Sequence, residues 1–268
     1  MAQMGPTGHD HDGRMITTVR VANPGPMTLD GTNTYLLGGG VVVDPGPHDA
    51  SHADAITAAV KDQWSGPPNL ILLTHRHLDH SESALELAER WTVPVRAADP
   101  TLCVGGGRRL EDGSVITSGG ATITVLLTPG HTDDSVCLLV AERGRPTALL
   151  SGDTVLGRGT TVIAEPDGDL GAYLTSLDRL GALVVEHQVT SILPGHGPVI
   201  TDPVDRIAGY QAHRRERLDQ FRAALARGAI TADDVVDLVY ADVDPAVRPA
   251  ALQSVRAQLA YLDVARPR

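Results

Sequence analysis

The stretch Thr74-His75-Arg76-His77-Leu78-Asp79-His80 decides how the rest of this sequence is read. Four potential metal ligands, His75, His77, Asp79 and His80, fall within six residues, directly after the apolar run Asn69–Leu73 and just before a helical stretch from about Ser81 to Trp91. A loop leaving a strand can turn several imidazoles and a carboxylate onto one point, where a regular strand or helix would scatter them. Imidazole and carboxylate together suit zinc and other borderline divalent ions. Three further candidates stand at equivalent places: His131 after Leu126-Leu127-Thr128-Pro129-Gly130, Asp153 after Leu149-Leu150-Ser151-Gly152, and His196 after Ile192-Leu193-Pro194-Gly195. Each follows a short apolar strand and a glycine-containing bend, which supplies the tight turn that aims a side chain at a common edge. Taken singly, Asp153 reads equally well as a turn residue and His131 as the neighbour of a helix cap; together they complete a set of seven.

Working outward, the chain alternates short strands with helices. Thr34–Leu37 and Val41–Val43, separated by Gly38-Gly39-Gly40, read as a hairpin that ends at Asp44-Pro45-Gly46. Apolar residues at helical spacing predict helices over 48–63 and 173–183, and further strands are read at 93–97, 115–116, 121–127, 136–140, 147–150 and 191–193. Strands with helices between them, in two successive halves, predict an α/β arrangement of sheets covered by helices. After Asp202 the character changes: 203–227 reads as one long helix, 231–240 opens on the capping pattern Thr231 to Asp234, and 246–264 again has helical spacing. The expected organisation is a mobile tail over 1–14, a catalytic domain over 15–202 and a helical C-terminal extension over 203–268.

The chain has 268 residues and a net charge of −11, and Lys61 is the one lysine among its 22 basic residues. That balance argues against a chain-wide electrostatic footprint for nucleic acid or a membrane surface, while leaving room for a local basic patch. Two cysteines, Cys103 and Cys137, make no disulfide framework and read as small buried residues. The first 14 residues lack the apolar core of a signal peptide, and no apolar run approaches the ~20 residues of a membrane span. The expectation is a cytoplasmic protein without membrane attachment. Five of the 11 histidines belong to the proposed set.

THRHLDH, TPGHTDDS, SGDTVLG and LPGHGP, in this order, resemble the successive motifs of the metallo-β-lactamase-fold hydrolase superfamily. Asp44, after Val41-Val42-Val43, matches an acidic position that in the family buttresses the metal loop. The resemblance implies a four-layer αββα sandwich with its site at one edge of the paired sheets. It implies that His75, His77 and His131 hold one ion, that Asp79, His80 and His196 hold a second, and that Asp153 bridges. Two divalent ions, zinc foremost with manganese or iron as alternatives, would share a hydroxide that attacks the substrate, with Asp79 orienting it. No serine or cysteine nucleophile is required.

A narrower resemblance, to the β-lactamase-like protein 2 branch, rests on Asn23-Pro24-Gly25-Pro26, Gly31-Thr32-Asn33-Thr34-Tyr35, TPGHTDDS, the 173–180 helix and His213-Arg214-Arg215-Glu216-Arg217. It implies a winged-helix-like extension and a single-stranded RNA substrate. The sequence departs from that branch in carrying Ser81, Glu82 and Ser83 where a glycine pair is usual, and in stopping at Arg268, with little room for a wing hairpin. Arg214, Arg215 and Arg217 would offer cationic forks to phosphate, or form a solvated helix face. Asn33 would donate an amide near the site or cap a turn; His213 would reach the pocket or pack at the domain junction. His48, His52 and His187 read as surface or helix residues. The alternatives in activity are a small-molecule thioester or ester hydrolase of the glyoxalase II type, a mononuclear-iron sulfur dioxygenase, and a binding module without catalysis.

Overall fold

A computed structural model describes residues 16–142, 147–241 and 248–264. The tail read over 1–14 lies outside the described residues. Ten strands form two five-stranded sheets. The first runs in the order β1 (Thr17–Arg20), β2 (Asn33–Leu37), β3 (Val41–Val43), β4 (Leu70–Leu72), β5 (Val95–Arg96). The second runs β10 (Val189–Pro194), β9 (Thr147–Gly152), β8 (Val136–Glu142), β7 (Ala121–Leu127), β6 (Val115–Ser118).

Apolar runs without alternation belong to strands buried on both faces, and side chains of successive residues then serve different layers. In β3, Val41 and Val43 point between the sheets, with Leu70 and Leu72 of β4 and Leu138, Val140 and Leu150 opposite them. Val42 and Ile71 face the other way, onto Ile56 and Val60 of α1 (Ala50–Gln63) and Leu87 of α3 (Ala84–Trp91). On the far side, Cys137, Leu139 and Leu149 pack against Tyr173, Leu177 and Leu180 of α4 (Leu170–Glu186). Helix, sheet, sheet, helix: this is the four-layer sandwich.

The helix expected over 81–91 is broken in two, α2 (Leu78–Ser81) and α3. The Ser83 amide donates to the Gly46 carbonyl instead of continuing the helical ladder, and the Gly46 amide donates to the His80 carbonyl. The break therefore straps the helix onto the loop that follows β3. The C-terminal extension is helical throughout its described residues: α5 (Pro203–Ala226), α6 (Ala232–Val239) and α7 (Arg248–Val264). The capping box at Thr231 and Asp234 forms as the pattern predicts. Ile207, Tyr210 and Phe221 of α5 and Val255 and Leu262 of α7 share one core with α4, so the extension is built onto the outer layer of the second sheet.

Candidate metal centre

The topology brings the seven residues together. β10 lies parallel to β9, and β8 is antiparallel to both β7 and β9, so β7, β9 and β10 run in one direction. β3 and β4 likewise share a direction. The chain leaves β4 into His75–His80, β7 into His131, β9 into Asp153 and β10 into His196, all at one edge of the sandwich.

Three groups of ligand atoms lie within 4.8 Å of one another: His75, His77 and His131; His75, His80 and Asp153; Asp79, His80 and His196. His77 Nδ1 is 3.1 Å from both His75 Nε2 and His131 Nε2. His196 Nε2 is 3.2 Å from His80 Nε2, 3.2 Å from Asp79 Oδ2 and 3.3 Å from Asp153 Oδ2. Asp153 also approaches His80 Nε2 at 3.5 Å and His131 Nε2 at 3.7 Å. All but His77 and Asp79 are buried. Asp79, with 30% of its side chain exposed, faces the opening.

The outward ring nitrogens are spoken for by the protein. His131 Nδ1 lies 2.9 Å from the Val162 carbonyl, His80 Nδ1 2.9 Å from Asp44 Oδ2, and His196 Nδ1 3.4 Å from the Gly31 carbonyl. His75 Nδ1 lies 3.0 Å from Thr74 Oγ1, whose own hydrogen goes to Asp44. Each partner accepts, so each ring carries a hydrogen on Nδ1 and turns Nε2 inward. Burial, reinforced by the charge of His80, holds His75 well below the ordinary imidazole range, and burial likewise lowers His77 and His131. Burial also acts against protonation of His80 and His196, but Asp153 and Asp79 outweigh it, raising both and bringing His196 to about 10. Burial pushes the Asp153 carboxyl up, and His80 and His196 more than reverse that, leaving it well below the usual carboxylate range.

This arrangement fits a cation. One side offers three neutral imidazoles with converging lone pairs; the other balances two carboxylates with protons that a divalent ion would displace. Asp153 Oδ1 is buried without a hydrogen-bond partner. The room is reserved by Gly195, where an added Cβ would stand 2.5 Å from Asp153 Oδ1 and 2.6 Å from His80 Cε1.

A supporting layer fixes these groups. Asp44, in a left-handed conformation (φ 50°) that aspartate tolerates better than most residues, accepts from the Thr74 amide at 2.8 Å, the Thr74 hydroxyl at 2.7 Å and His80 Nδ1. Asn33 spends its amide on the carbonyls of Pro194 and Gly197, at 3.0 and 2.9 Å, fastening the His196 loop to β2; of the roles open to it, this geometry favours support of the loop over contact with substrate. His213 is half-buried on α5 and its ring pairs with Arg217 Nε at 3.5 Å, which favours the junction role over the pocket. Arg214 is no phosphate fork: it is 3% exposed and donates to the Thr161 carbonyl. Arg217 stacks over Tyr240, and Arg215 is exposed.

Two supporting groups escape a reading of the sequence. His52, read as a surface or helix residue, does lie on α1 but is 1% exposed, with Nε2 2.9 Å from Thr34 Oγ1, which donates to the Asp44 carbonyl. Arg76, between two of the proposed ligands, lies among Asp133, Asp134 at 3.2 Å, Asp99 at 3.8 Å and Asp167 at 4.0 Å. Asp134 is buried there, which raises its carboxyl. The signal for it lies in the acidic pair of TPGHTDDS.

A family model of the metallo-beta-lactamase superfamily matches residues 27–196, and one of the beta-lactamase associated winged helix domain matches residues 231–263. The chain belongs to the metallo-beta-lactamase superfamily and is a metal-dependent hydrolase of that class. Among its relatives, a Beta-lactamase-like protein 2 homolog of Caenorhabditis elegans is 36% identical over 257 residues, 92% of this chain and 83% of that protein. An Atrochrysone carboxyl ACP thioesterase of Aspergillus chevalieri is 34% identical over 250 residues, 89% and 77% of the two chains. A solved beta-lactamase domain protein from Burkholderia ambifaria superposes with a TM-score of 0.76 at 26% identity, covering 93% of this chain and 87% of that one. Among the described residues no helix is long and apolar enough to cross a membrane.

Proposed function

We propose that the chain is a dinuclear, zinc-dependent hydrolase of thioesters or esters. His75, His77 and His131 would hold one ion and Asp79, His80 and His196 the other, with Asp153 between them. The observation that supports this reading is the convergence of His75, His80, His131 and His196, each ring oriented by an outward hydrogen bond, on Asp153, whose buried Oδ1 has no hydrogen-bond partner among the described residues. Bound there, two divalent ions supply Lewis-acid polarisation and a water-derived nucleophile at neutral pH.

The protein's own contribution is placement and proton handling. Burial acts to raise the Asp79 carboxyl, but the hydrogen bond from His196 and the charge of His80 outweigh it and lower it below its ordinary value. Asp79 is thus an ionised acceptor at the mouth of the site, placed to orient the attacking water, take its proton and return it to the leaving group. Asp44, Thr74 and Asn33 hold the ligand loops so that this geometry exists before substrate arrives.

The arginines support an uncharged acyl group over a polyanion. Arg76 is surrounded by carboxylates, Arg158 is paired with Asp30, and Arg214 is committed to a backbone carbonyl. The Aspergillus thioesterase extends the same reading. The test is turnover of acyl-CoA, aryl ester and single-stranded RNA substrates by zinc-loaded protein, with Asp79→Asn beside it. Thioester or ester cleavage lost in the variant is the expected result; RNA cleavage without either would replace this reading with the phosphodiester one.

A further inference from the structure

Four backbone groups of the segment between Asp153 and Val162 are held by one helix of the C-terminal extension, beside contacts from the His196 loop, Asp30 and α4. Arg206, Tyr210 and Arg214 recur every four residues along α5 and so share one face. The Tyr210 hydroxyl accepts from the Leu156 amide at 2.7 Å. Arg206 donates to the Leu156 carbonyl at 2.7 Å and to the Gly159 carbonyl at 2.8 Å. Arg214 donates to the Thr161 carbonyl, with its guanidinium 5.1 Å from the centre of the Tyr173 ring. Tyr173 in turn donates to the Thr154 carbonyl at 2.7 Å.

What the segment does at its far end gives these contacts their meaning. The Val162 carbonyl lies 2.9 Å and the Thr161 hydroxyl 3.2 Å from His131 Nδ1. They are the groups that fix the hydrogen, and hence the inward lone pair, of that imidazole. Arg214 grips the peptide between those two residues. It is itself buried and has no anionic partner among the described residues, a costly placement unless it secures something that matters.

We infer that Arg214 is a positioning residue of the metal centre: by clamping the Thr161–Val162 peptide, it orients His131, and α5 thereby forms part of the site. This rests on the proposed ligand set. A helix outside the sheets then completes the three-histidine half of the centre, while the half formed by Asp79, His80 and His196 is anchored from β2, β3 and the Asp44 loop.

The experiment compares full-length wild type with Arg214→Met, which keeps the length of the side chain but no donor, and Arg214→Lys, which keeps a donor. Zinc affinity at each of two sites is measured by chelator competition, and the tautomer of His131 is read in metal-free protein by ¹⁵N NMR of the imidazoles. Arg214→Met is expected to weaken one site about 10- to 100-fold and leave the other within a few-fold, with His131 losing its fixed Nδ1–H signature. Arg214→Lys recovers most of both readouts. A role confined to holding α5 on the sandwich would lower thermal stability in both variants and leave the ratio of the two affinities and the tautomer unchanged, which overturns the inference. If Arg214→Met does not fold, the partial loss in Arg214→Lys decides: its shorter reach and single ammonium should weaken one site a few-fold more than the other and lower the Nδ1–H population of His131, whereas an unchanged affinity ratio and tautomer overturns the inference. Wild type that takes up no zinc overturns the ligand set and this inference with it; wild type holding two ions beside an Arg214→Met that binds both as tightly overturns the inference alone.

Discussion

Acid should destabilise this protein through His52 in a way a single substitution removes. The His52 ring is sealed beneath the loop after β3: it donates from Nε2 to Thr34 Oγ1, packs where a Cβ on Gly46 would come within 2.9 Å, and leaves Nδ1 buried without a partner. A second proton would sit on Nδ1 with nothing to accept it. Burial accordingly lowers the group from 6.5 to about 4, against a weaker pull from Asp49. Because the folded value is depressed, the unfolded chain takes up a proton below about pH 6.5 while the folded one declines it until about pH 4. Stability is therefore lost as pH falls through that window, and is level on either side of it. Linkage over this interval gives a loss of about 2.5 kcal/mol between pH 7.5 and pH 4.5 from this one ring. The assay is urea unfolding of metal-free protein at both pH values, for wild type and for His52→Gln, whose amide keeps a donor toward Thr34. Other histidines and carboxylates titrate in both proteins, so the difference between the two pH-dependent losses isolates His52. Wild type should lose about 2.5 kcal/mol more than the variant. Equal losses would refute the claim that the ring is kept neutral by its enclosure.

Other expectations follow from the same contacts. Asp44→Asn removes the charge that receives His80 and Thr74, and should weaken zinc binding about 10- to 100-fold in calorimetric titration with the fold intact. Asp79→Asn should lower kcat by about 10²- to 10⁴-fold on whichever ester or thioester is turned over. Loading metal at pH 7 should release protons into unbuffered solution, since Asp153 and Asp79 raise His196 to about 10 against its burial and a ligating imidazole sheds that proton; uptake without release would contradict that charge balance. Arg76→Met should cost about 2 kcal/mol in urea unfolding by stranding the buried Asp134, and Asp134→Asn in the same background should recover part of it.

The seven candidate ligands were legible because each group follows an apolar strand: four are crowded directly after Asn69–Leu73, and His131, Asp153 and His196 each come after a glycine bend. The four-layer architecture was implied by the family resemblance, and Val41–Val43 and Leu70–Leu72 carry its physical basis, since unbroken apolar runs suit strands covered on both faces. What could not be read was who holds the ligands. His52 sits on a helix whose polar pattern resembles a surface helix, and its partner Thr34 belongs to a different element. Arg214 looked like one of three solvated arginines; only the packing of α5 on the second sheet's outer helix turns that residue inward while leaving Arg215 outside. The break at Glu82–Ser83 is set by the Gly46 carbonyl, a competitor for a backbone hydrogen that no helix propensity contains.

Because the proposed ligands leave strands of both sheets, the first at His75 after β4 and the last at His196 after β10, a nascent chain cannot close the centre until β10 has been synthesised and seated. During that interval the four imidazoles and two carboxylates already made would be open to any soft or abundant cation. Loading is thus a late event in biogenesis, and once complete it acts as a rivet across the seam between the two halves. Chelation should then be felt first as faster parting of the sheets, in unfolding rate and protease susceptibility at the β9–β10 edge, before any change in secondary structure.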